Sequence, residues 1–323
     1  MKFYDINLQL FAELNTQTTG TETLSAEMKV YYSDYLIDNA VPKLVHDQFG
    51  QKHPIPKNGG KQIEFRKYSP LPKLLTPLTE GVTPDGQSLT VTTLTAEVKQ
   101  YGGYITLSDM LMLTAIDNNL VQATKLLGNQ AGATLDTITR EVLNGGTNVI
   151  YAGGGASRAA AGKLGVDDIL RAARALKVQN ADKIDGSYVA IIHPDVAYDL
   201  MNDDRWEAVK TYCDPKDWYE GEIGRIGGVR FVETTEAKIF VGGAAGTAVY
   251  STLVLGDNAY GVTEIEGGGL EHIVKQLGSA GTADALNQRA TVGWKATKVA
   301  ERLVEQFMVR IESIGSFDAI ELN

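Results

Sequence analysis

Hydrophobic residues recur at every third or fourth position over a long segment near the middle of the chain. Because an α-helix has about 3.6 residues per turn, this spacing places them on one helical face. Ser108 or Asp109 can cap the start, and Asn144-Gly145-Gly146 can end it. A continuous helix over 108–143 would be ~54 Å long at ~1.5 Å per residue, which predicts a spine that can break at Asp117-Asn118-Asn119. The residues of the apolar face are Leu120, Ala123, Leu127, Ala131, Leu135, Ile138 and Val142.

Alternating positions predict a long β-hairpin before this helix. Residues 61–68 alternate, with Ile63 and Phe65 on one face, and residues 89–107 are rich in Thr, Val, Ile and Tyr. Six of the nine prolines lie between residues 54 and 84 and mark the turn region. Such a hairpin has too few large apolar residues for a core of its own. We therefore expect it to lie on a neighbouring molecule.

The N-terminal residues combine a short amphipathic piece with a Thr-rich linker. The linker, NTQTTGTET, has no apolar face to bury, so residues 1–23 are predicted to be an arm that becomes ordered only against another surface. From Leu24 to Phe49 the spacing is helical, with an interruption at Pro42 and an end at Gly50. This segment is predicted to be the first helix.

The C-terminal half mixes helices and strands. We expect Asp167 or Asp168 to cap one helix, and strand 188–192 to turn at His193-Pro194 into a second helix capped near Asp195. Leu303, Phe307, Val309 and Ile311 are predicted to share one face of the last strand region. The pattern as a whole predicts an α+β fold. Further strand regions are predicted at 229–233, 238–242, 248–256, 272–277, 291–299 and 302–314.

Composition narrows the class of protein. The 323 residues carry a formal charge of −10, are 43% hydrophobic and include one cysteine, Cys213. These values exclude a disordered chain and an intrachain disulfide, and they favour a reducing compartment. No apolar stretch approaches the ~18 residues of a transmembrane helix, so we expect no membrane association. Lys and Arg are nowhere concentrated, which argues against sequence-specific DNA binding.

Motifs that carry chemistry are incomplete. Around Gly162-Lys163, Ser157 replaces the first glycine of a phosphate-binding loop and Leu164 replaces its Ser or Thr, which favours a surface loop. His193 could serve as a metal ligand or a general base. We favour the alternative, in which its side chain forms a hydrogen bond with the backbone of the loop. We expect no catalytic site, no cofactor and no metal. The histidines are scattered, and these are His46, His53, His193 and His272. An intersubunit contact is predicted for Trp206, Tyr212, Trp218 and Tyr219.

The order of these elements resembles that of a tailed-bacteriophage major capsid protein of the Hong Kong 97-type fold. The similarity spans roughly residues 24–315. Four segments look like the branch named after coliphage N-four's coat protein: KLVHDQFGQKHPIPKNGGKQIEFRKYSPL, LTEGVTPDGQSLT, QRATVGWKATKV and VRIES. The resemblance implies an N-terminal arm at 1–23, an N-terminal helical segment at 24–56, an extended E-loop hairpin at 57–107, a P-domain spine helix and loop at 108–165, an A-domain at 166–285, and closing P-domain strands at 286–323.

The resemblance also implies a function. Such proteins assemble as pentamers and hexamers into an icosahedral shell, here enclosing double-stranded DNA without sequence-specific binding. It implies a virion protein, made in the host cytoplasm, whose partners are itself, a separate scaffolding protein, a portal and decoration proteins. Some relatives are joined covalently through a lysine and an asparagine; Lys57 and Asn58 lie near the hairpin base, but no matching motif carries that role over.

Two other classes of protein compete with this interpretation. An encapsulin-like nanocompartment shell shares the fold but lacks the four segments. A small-molecule enzyme on an α/β scaffold is the least favoured, because no nucleophile, metal cluster or phosphate loop is complete.

The first dozen residues suggest processing. Ile6–Ala12 resembles a cleavable leader of a large-subunit ribosomal protein of low-GC Gram-positive bacteria, which a cysteine protease cuts between Phe and Ala. The corresponding bond here joins Phe11 and Ala12. The alternative is an uncut arm that docks on a neighbour or on scaffold, and the sequence leaves both open.

Overall fold

The structure is a computed structural model. It describes residues 16–17, 45–68, 71–78, 80–81, 83, 86–114, 119–206, 224–243, 246–279 and 284–317. Phe11 and Ala12, and the predicted helix from Leu24 up to residue 44, lie outside the described residues, as does the predicted arm except for Thr16–Gln17. Tyr212, Cys213, Trp218 and Tyr219 also lie outside them.

The described residues form four α-helices and fifteen strands. The helices are α1 (Asp109–Thr114), α2 (Asn119–Asn144), α3 (Val166–Val178) and α4 (Pro194–Met201). The strands are β1 (Thr16–Gln17), β2 (Gln51–Lys52), β3 (Gln62–Tyr68), β4 (Val91–Glu97), β5 (Lys99–Ser108), β6 (Val149–Tyr151), β7 (Tyr188–Ile192), β8 (Arg225–Ile226), β9 (Val229–Glu233), β10 (Ile239–Val241), β11 (Ala248–Leu255), β12 (Tyr260–Thr263), β13 (Glu271–Lys275), β14 (Arg289–Arg302) and β15 (Met308–Ile314). No described helix is long and apolar enough to cross a membrane.

The chain divides into two compact units. The first unit contains the described residues within Met1–Val41, Gln100–Gly132 and Gly268–Ala296, and the second contains those within Pro42–Lys99, Ala133–Gly267 and Thr297–Asn323. Both α2 and β14 contribute residues to each unit. Each unit is therefore built from three chain segments, and the segments of the two units alternate along the sequence.

A seven-stranded sheet forms the centre of the second unit. Its order is β6-β15-β11-β7-β9-β8, with β10 also paired to β11. β7 pairs antiparallel with β11 and parallel with β9, and all five of its residues are buried. Burial on both faces explains its continuous apolar sequence. Helices α3 and α4 cover the sheet with Ile169, Leu176, Val196 and Leu200.

The start of α4 agrees with the prediction, and the start of α3 agrees with it in part. The residue before α3 is Gly165, and the N–H of Val166 donates to Asp203 Oδ2 at 2.8 Å. Asp167 and Asp168 lie in the first turn, and Asp168 Oδ2 accepts the N–H of Gly165, the residue at the N-cap, at 3.4 Å. α4 starts after His193, whose Nδ1 accepts the N–H of Asp195 at 3.2 Å. The contribution of Asp203 to the start of α3 was missed because this residue is 37 positions away from Val166, where local sequence preference does not single it out.

The first unit combines strands with the start of the helical segment. β5 lies next to β14, and β13 pairs antiparallel with β14 so that Ile273 is opposite Gly293. Leu107, Leu111 and Ala123 form a small core with Ile105 and Leu120. The N–H of Leu111 donates to Ser108 Oγ at 3.2 Å, which confirms Ser108 as the cap of α1.

The predicted spine helix is correct in its end points and in half of its buried face. α1 stops at Thr114, residues 115–118 are outside the described residues, and α2 ends at Asn144 as predicted. Its buried face follows the predicted stripe over Ala123, Leu127 and Ala131. Beyond that point Leu143 is the one fully buried apolar residue of the helix and the other buried residues are polar or charged, whereas Leu135, Ile138 and Val142 are only half-buried. These buried residues include Asp136, Thr139 and Arg140.

Two further predictions need correction. Residues 45–49 form turns, so the described end of the predicted helix 24–49 is not helical. The predicted last strand region is interrupted, because β14 ends at Arg302 and a single 3₁₀ turn at Glu305–Phe307 precedes β15. Val309 and Ile311 are fully buried as predicted, but Leu303 lies before the turn and does not share their strand face.

Candidate assembly surfaces

The predicted hairpin is confirmed as β3 and β4. The two strands pair antiparallel from Gln62↔Glu97 to Tyr68↔Val91. One face of the hairpin base packs on the second unit, where Phe65 meets the His53 ring at 5.8 Å between centroids. A Cβ at Gly261 would lie 3.3 Å from Phe65 Cζ, so glycine there lets the aromatic ring approach β12 closely. The base of the hairpin is thereby held while the rest projects.

The tip of the hairpin exposes apolar side chains. Leu75 is 85% exposed and Leu74 is 79% exposed. A run of leucines this exposed is uncommon on a monomeric protein and marks a contact surface. We call this surface the tip, and it consists of Leu71, Leu74, Leu75, Leu78 and Leu89.

Residues near the hairpin base form a tight turn. Lys57 and Asn58 are exposed, and Asn58 has a φ of 68°, a left-handed conformation that Asn tolerates well. The N–H of Gly59 donates to the carbonyl of Pro56 at 2.9 Å, closing the turn. These residues form a tight turn that leads the chain into β3.

A buried polar cluster lies in the second unit. Asp136 Oδ1 accepts the N–H groups of Val45 and His46 at 3.0 and 2.8 Å, and its Oδ2 is 2.6 Å from His46 Nδ1. Both His46 and Asp136 are almost completely buried. Charges are found in a protein interior when partners satisfy them. Asp136 therefore fixes the loop that precedes β2 onto α2.

Lys298 continues the same cluster. Its ammonium donates to the carboxylate of Asp47 and, at 2.8 Å, to the carbonyl of Leu135. Thr139 Oγ1 donates to Asp47 Oδ1 at 2.5 Å. Burial lowers the pKa of Lys298, and the charge of Asp47 opposes that shift. We refer to His46, Asp47, Asp136 and Lys298 as the buried cluster.

A second ion pair fixes the Gly/Ala-rich loop. Arg158 donates through Nε and Nη2 to the fully buried carboxylate of Glu312 at 2.7 and 2.8 Å. The hydrogen bond to Glu312 raises the pKa of Arg158, whose guanidinium also lies 4.0 Å from the centre of the Phe240 ring. Lys163 Nζ donates to Ser316 Oγ at 2.6 Å. The segment with partial likeness to a phosphate loop is thus held by internal contacts.

His193 and Trp206, the other candidate residues that the structure describes, make contacts within the chain. Burial lowers the pKa of His193, and the charge of Asp195 opposes that shift. The centroid of the His193 ring lies 4.8 Å from that of the Tyr250 ring. Its bond to the Asp195 N–H agrees with the favoured interpretation as a partner of the backbone. Trp206 is buried in the core of the second unit, so the predicted intersubunit contact is wrong for this residue. No group of three or more potential metal ligands occurs among the described residues.

Sequence reasoning missed the buried cluster and a groove in the first unit. The groove has a volume of about 550 Å³ and is lined by Tyr104, Ile273, Thr291 and Gly293, among others. Glycines inside the strands, at Gly102, Gly103 and Gly293, are the sequence signal for it. The sequence carries no comparable signal for the buried cluster. Its charged residues are spaced along the chain as charged residues on a solvent-exposed surface would be.

The fold has clear relatives among solved structures. The capsid of cyanophage P-SCSP1u has a TM-score of 0.70 at 14% identity, over 92% of this chain and 96% of that chain. The cyanophage Pam1 capsid gives 0.69 at 14% identity, over 90% and 98%. The capsid of Ralstonia phage GP4 gives 0.68 at 14% identity, over 91% and 96%.

Sequence comparison gives the family. No curated protein matches the chain. A family model described as phage capsid protein matches residues 91–307, which is well over half of the sequence. The matched range starts at β4 and extends into the 3₁₀ turn before β15. The chain belongs to the phage capsid protein family and has the Hong Kong 97-type capsid fold, which makes it a structural component of a bacteriophage capsid.

Proposed function

We propose that copies of this major capsid protein form pentamers and hexamers that close into an icosahedral shell around double-stranded DNA. The observation that carries the proposal is the tip, whose leucines lie more than half exposed on a hairpin that projects from a folded base. Such a surface is unfavourable in water and becomes favourable when a neighbouring copy covers it. Repeating one contact by symmetry turns a modest interaction into a closed shell.

We propose that the six ranges implied by the resemblance describe the domains. The hairpin β3–β4 then lies in the E-loop at 57–107, and α3 and β7 lie in the A-domain at 166–285. The arm at 1–23, the helical segment at 24–56 and the P-domain ranges 108–165 and 286–323 complete the chain. Because β6 and β15 share a sheet with β11, the proposed boundary passes through that sheet.

The negative net charge of the chain supports a role as the wall of a shell that encloses DNA. At −10, a subunit repels the phosphates of the DNA it encloses, so the shell holds its cargo without gripping specific sequences. We further propose assembly in the host cytoplasm with a separate scaffolding protein, a portal and decoration proteins, in a phage of the N-four-like branch. The role is structural, with no catalytic step.

We propose that the bond between Phe11 and Ala12 is cut in the mature particle. An apolar patch on a polar tether is accessible to a protease groove in extended form. Intact-mass spectrometry of subunits from mature virions should show a new terminus at Ala12. A retained Ile6–Ala12 segment would support the docking arm instead.

Assembly tests the main proposal directly. Size-exclusion chromatography with light scattering should show capsomers or particles of the expressed chain, with or without a scaffold, and electron microscopy should show closed shells. Virions should contain this chain around DNA. A chain that stays monomeric under every condition, including beside its scaffold, would contradict the proposal, and native particles that enclose protein cargo without DNA would favour the encapsulin-like alternative.

A further inference from the structure

We propose that the outer edge of β13 pairs antiparallel with the same edge of a second copy across a twofold axis. β13 (Glu271–Lys275) lies in the first unit and, among the described strands, pairs only with β14. This inference rests on the proposed function, because it requires copies that meet in a shell. It adds a contact between copies that the proposed function does not include.

The edge of β13 that faces away from β14 is open. Four of its five residues are exposed, and Ile273 is half-buried. Such an edge presents backbone N–H and C=O groups with which another strand can pair. Prolines and bulges commonly prevent this pairing, but β13 contains no proline and stays in unbroken register with β14 over all five residues. The edge is therefore well formed for the addition of a strand.

The sequence of β13 is complementary to itself in one register. Residues directly opposite each other in an antiparallel pair lie on the same face of the sheet, so a twofold axis passes beside one residue that faces its own copy. With the axis at Ile273, Glu271 of each copy lies opposite Lys275 of the other, which gives two ion pairs. With the axis one residue to either side, both charged residues lie opposite uncharged ones. Because opposite charges stabilise a cross-strand pair, the register at Ile273 is favoured.

Both charged residues are available for this contact. Lys275 is exposed and forms no ion pair within the part of the chain that the structure describes. The side chain of Glu271 is 58% exposed, and its Oε2 lies 3.1 Å from Lys295 Nζ on β14. The other carboxylate oxygen of Glu271 can accept from Lys275 of the second copy. Charges then alternate in sign along a row from Lys295 through Glu271 to that lysine.

The centre of the contact covers apolar surface. Ile273 is opposite Gly293 on β14 and borders the groove of about 550 Å³ on that face. Two facing Ile273 side chains would have their Cβ atoms about 4.5–5.5 Å apart, close enough for each to shield the other from water. On the other face, Val274, which is 41% exposed, would lie opposite His272 of the second copy. With five residues from each copy, the contact is small, so we expect it in shells and not between dilute subunits.

Shell symmetry supplies the required axis. A contact that uses the same patch on both copies has a twofold axis, whereas copies within a pentamer or hexamer meet head to tail through two different patches. An icosahedral shell has twofold axes between its capsomers. The pairing of β13 would therefore join neighbouring capsomers, while other surfaces close the rings.

Cysteine cross-linking tests the register. In a Cys213→Ser background, particles of Ile273→Cys copies are treated with dibromobimane, a short linker between two thiols. We expect covalent dimers in particles and none in unassembled subunits. The matched control is Lys275→Cys on the same strand, because two copies of this residue would be four positions apart, roughly 13 Å at ~3.3 Å per residue. It should not link to itself, whereas an equal mixture of Glu271→Cys and Lys275→Cys copies should give dimers with one copy of each.

Charge exchange gives an independent test. Glu271→Lys alone, or Lys275→Glu alone, places like charges opposite each other twice in every contact, so we expect either variant to lower particle yield at least about tenfold. An equal mixture of the two variants forms contacts in which both pairs attract again. Its yield should exceed that of either variant alone at least about threefold. Lys177→Glu makes the same charge change at an exposed position on α3 and should leave the yield unchanged.

The outcomes separate this inference from the proposed function. Particles in which Ile273→Cys copies do not link, or in which Lys275→Cys copies link to themselves as efficiently, would overturn the pairing. Normal yield from both charge variants would also overturn it, and so would a mixture that assembles no better than its components. If Ile273→Cys fails to fold, the charge variants decide, because they leave Ile273 in place. A parent chain that forms no particles under any condition contradicts the proposed function itself, and the pairing with it.

Discussion

Replacing Lys298 tests whether the buried cluster stabilises the second unit. In Lys298→Met the aliphatic stem is retained, but Asp47 loses its cationic partner and the carbonyl of Leu135 loses a donor. Removing one member of a buried ion pair costs about 3–5 kcal/mol. Asp47 is 22% exposed and keeps Thr139 as a donor, so we expect a loss of about 3 kcal/mol, at the lower end of that range.

The same strand supplies a matched control. Lys295 lies three residues before Lys298 and pairs with Glu271 at 3.1 Å, with both side chains about half exposed. Exposed pairs contribute about 0–1 kcal/mol, so Lys295→Met should cost less than about 1 kcal/mol. Urea unfolding of the unassembled subunit at pH 7, followed by tryptophan fluorescence, gives both free energies of unfolding.

A double-mutant cycle tests whether the stability lost in Lys298→Met comes from the unpaired charge of Asp47. Adding Asp47→Asn to Lys298→Met removes the charge that was left without its partner, so the double variant should recover at least about 1 kcal/mol relative to Lys298→Met alone. Equal losses for Lys298→Met and Lys295→Met would refute the reasoning. Strictly additive losses for Lys298 and Asp47 would refute the coupling between them.

Two further predictions concern a surface carboxylate and the hairpin. Hydrogen bonds from the Thr147 N–H, and then from its hydroxyl, lower the pKa of Glu305 from its usual 4.5. Its contribution is therefore present above about pH 4.5 and lost as pH falls through the lower folded pKa. Urea unfolding should give Glu305→Gln a lower free energy of unfolding than the parent chain at pH 7 and the same free energy at the acid end of the range. A difference between the two free energies that does not change with pH would contradict this. Replacing residues 69–88 with a short Gly-Ser turn should keep the melting temperature of the subunit and abolish stable particles, whereas global unfolding would place the hairpin in the core.

The parts of the fold that were predicted are those governed by local periodicity. The alternation around Ile63 and Phe65 gave β3, and the buried run at 188–192 gave β7. The end of α2 at Asn144 followed from the two glycines after it. In each case a few neighbouring residues determine the conformation, so reading one window of sequence was sufficient.

The parts that could not be predicted depend on distant partners. Asp47 and Lys298 are 251 residues apart, and Asp136 meets His46 across 90 residues. In sequence, Asp136, Thr139 and Arg140 have the composition of a solvated helix face, so the helical stripe was assigned to Leu135 and its neighbours. Tertiary hydrogen bonds reverse that assignment, because a satisfied charge can be buried where an apolar side chain would otherwise lie.

Different apolar residues serve folding and assembly: those of the core stabilise the folded subunit, and those of the tip are left for contacts between copies. The core of the second unit is closed without the tip, since its buried residues come from the sheet and from α3 and α4. In the proposed shell, the tip leucines stay in water until another copy covers them. Full burial of a leucine gains about 1.5–3 kcal/mol. Because the five leucines are 52–85% exposed, covering them offers roughly 5–10 kcal/mol before the cost of association. This gain is available only after folding, and it depends on subunit concentration. A chain built this way folds first and assembles second, and weakening the tip should slow assembly without slowing folding.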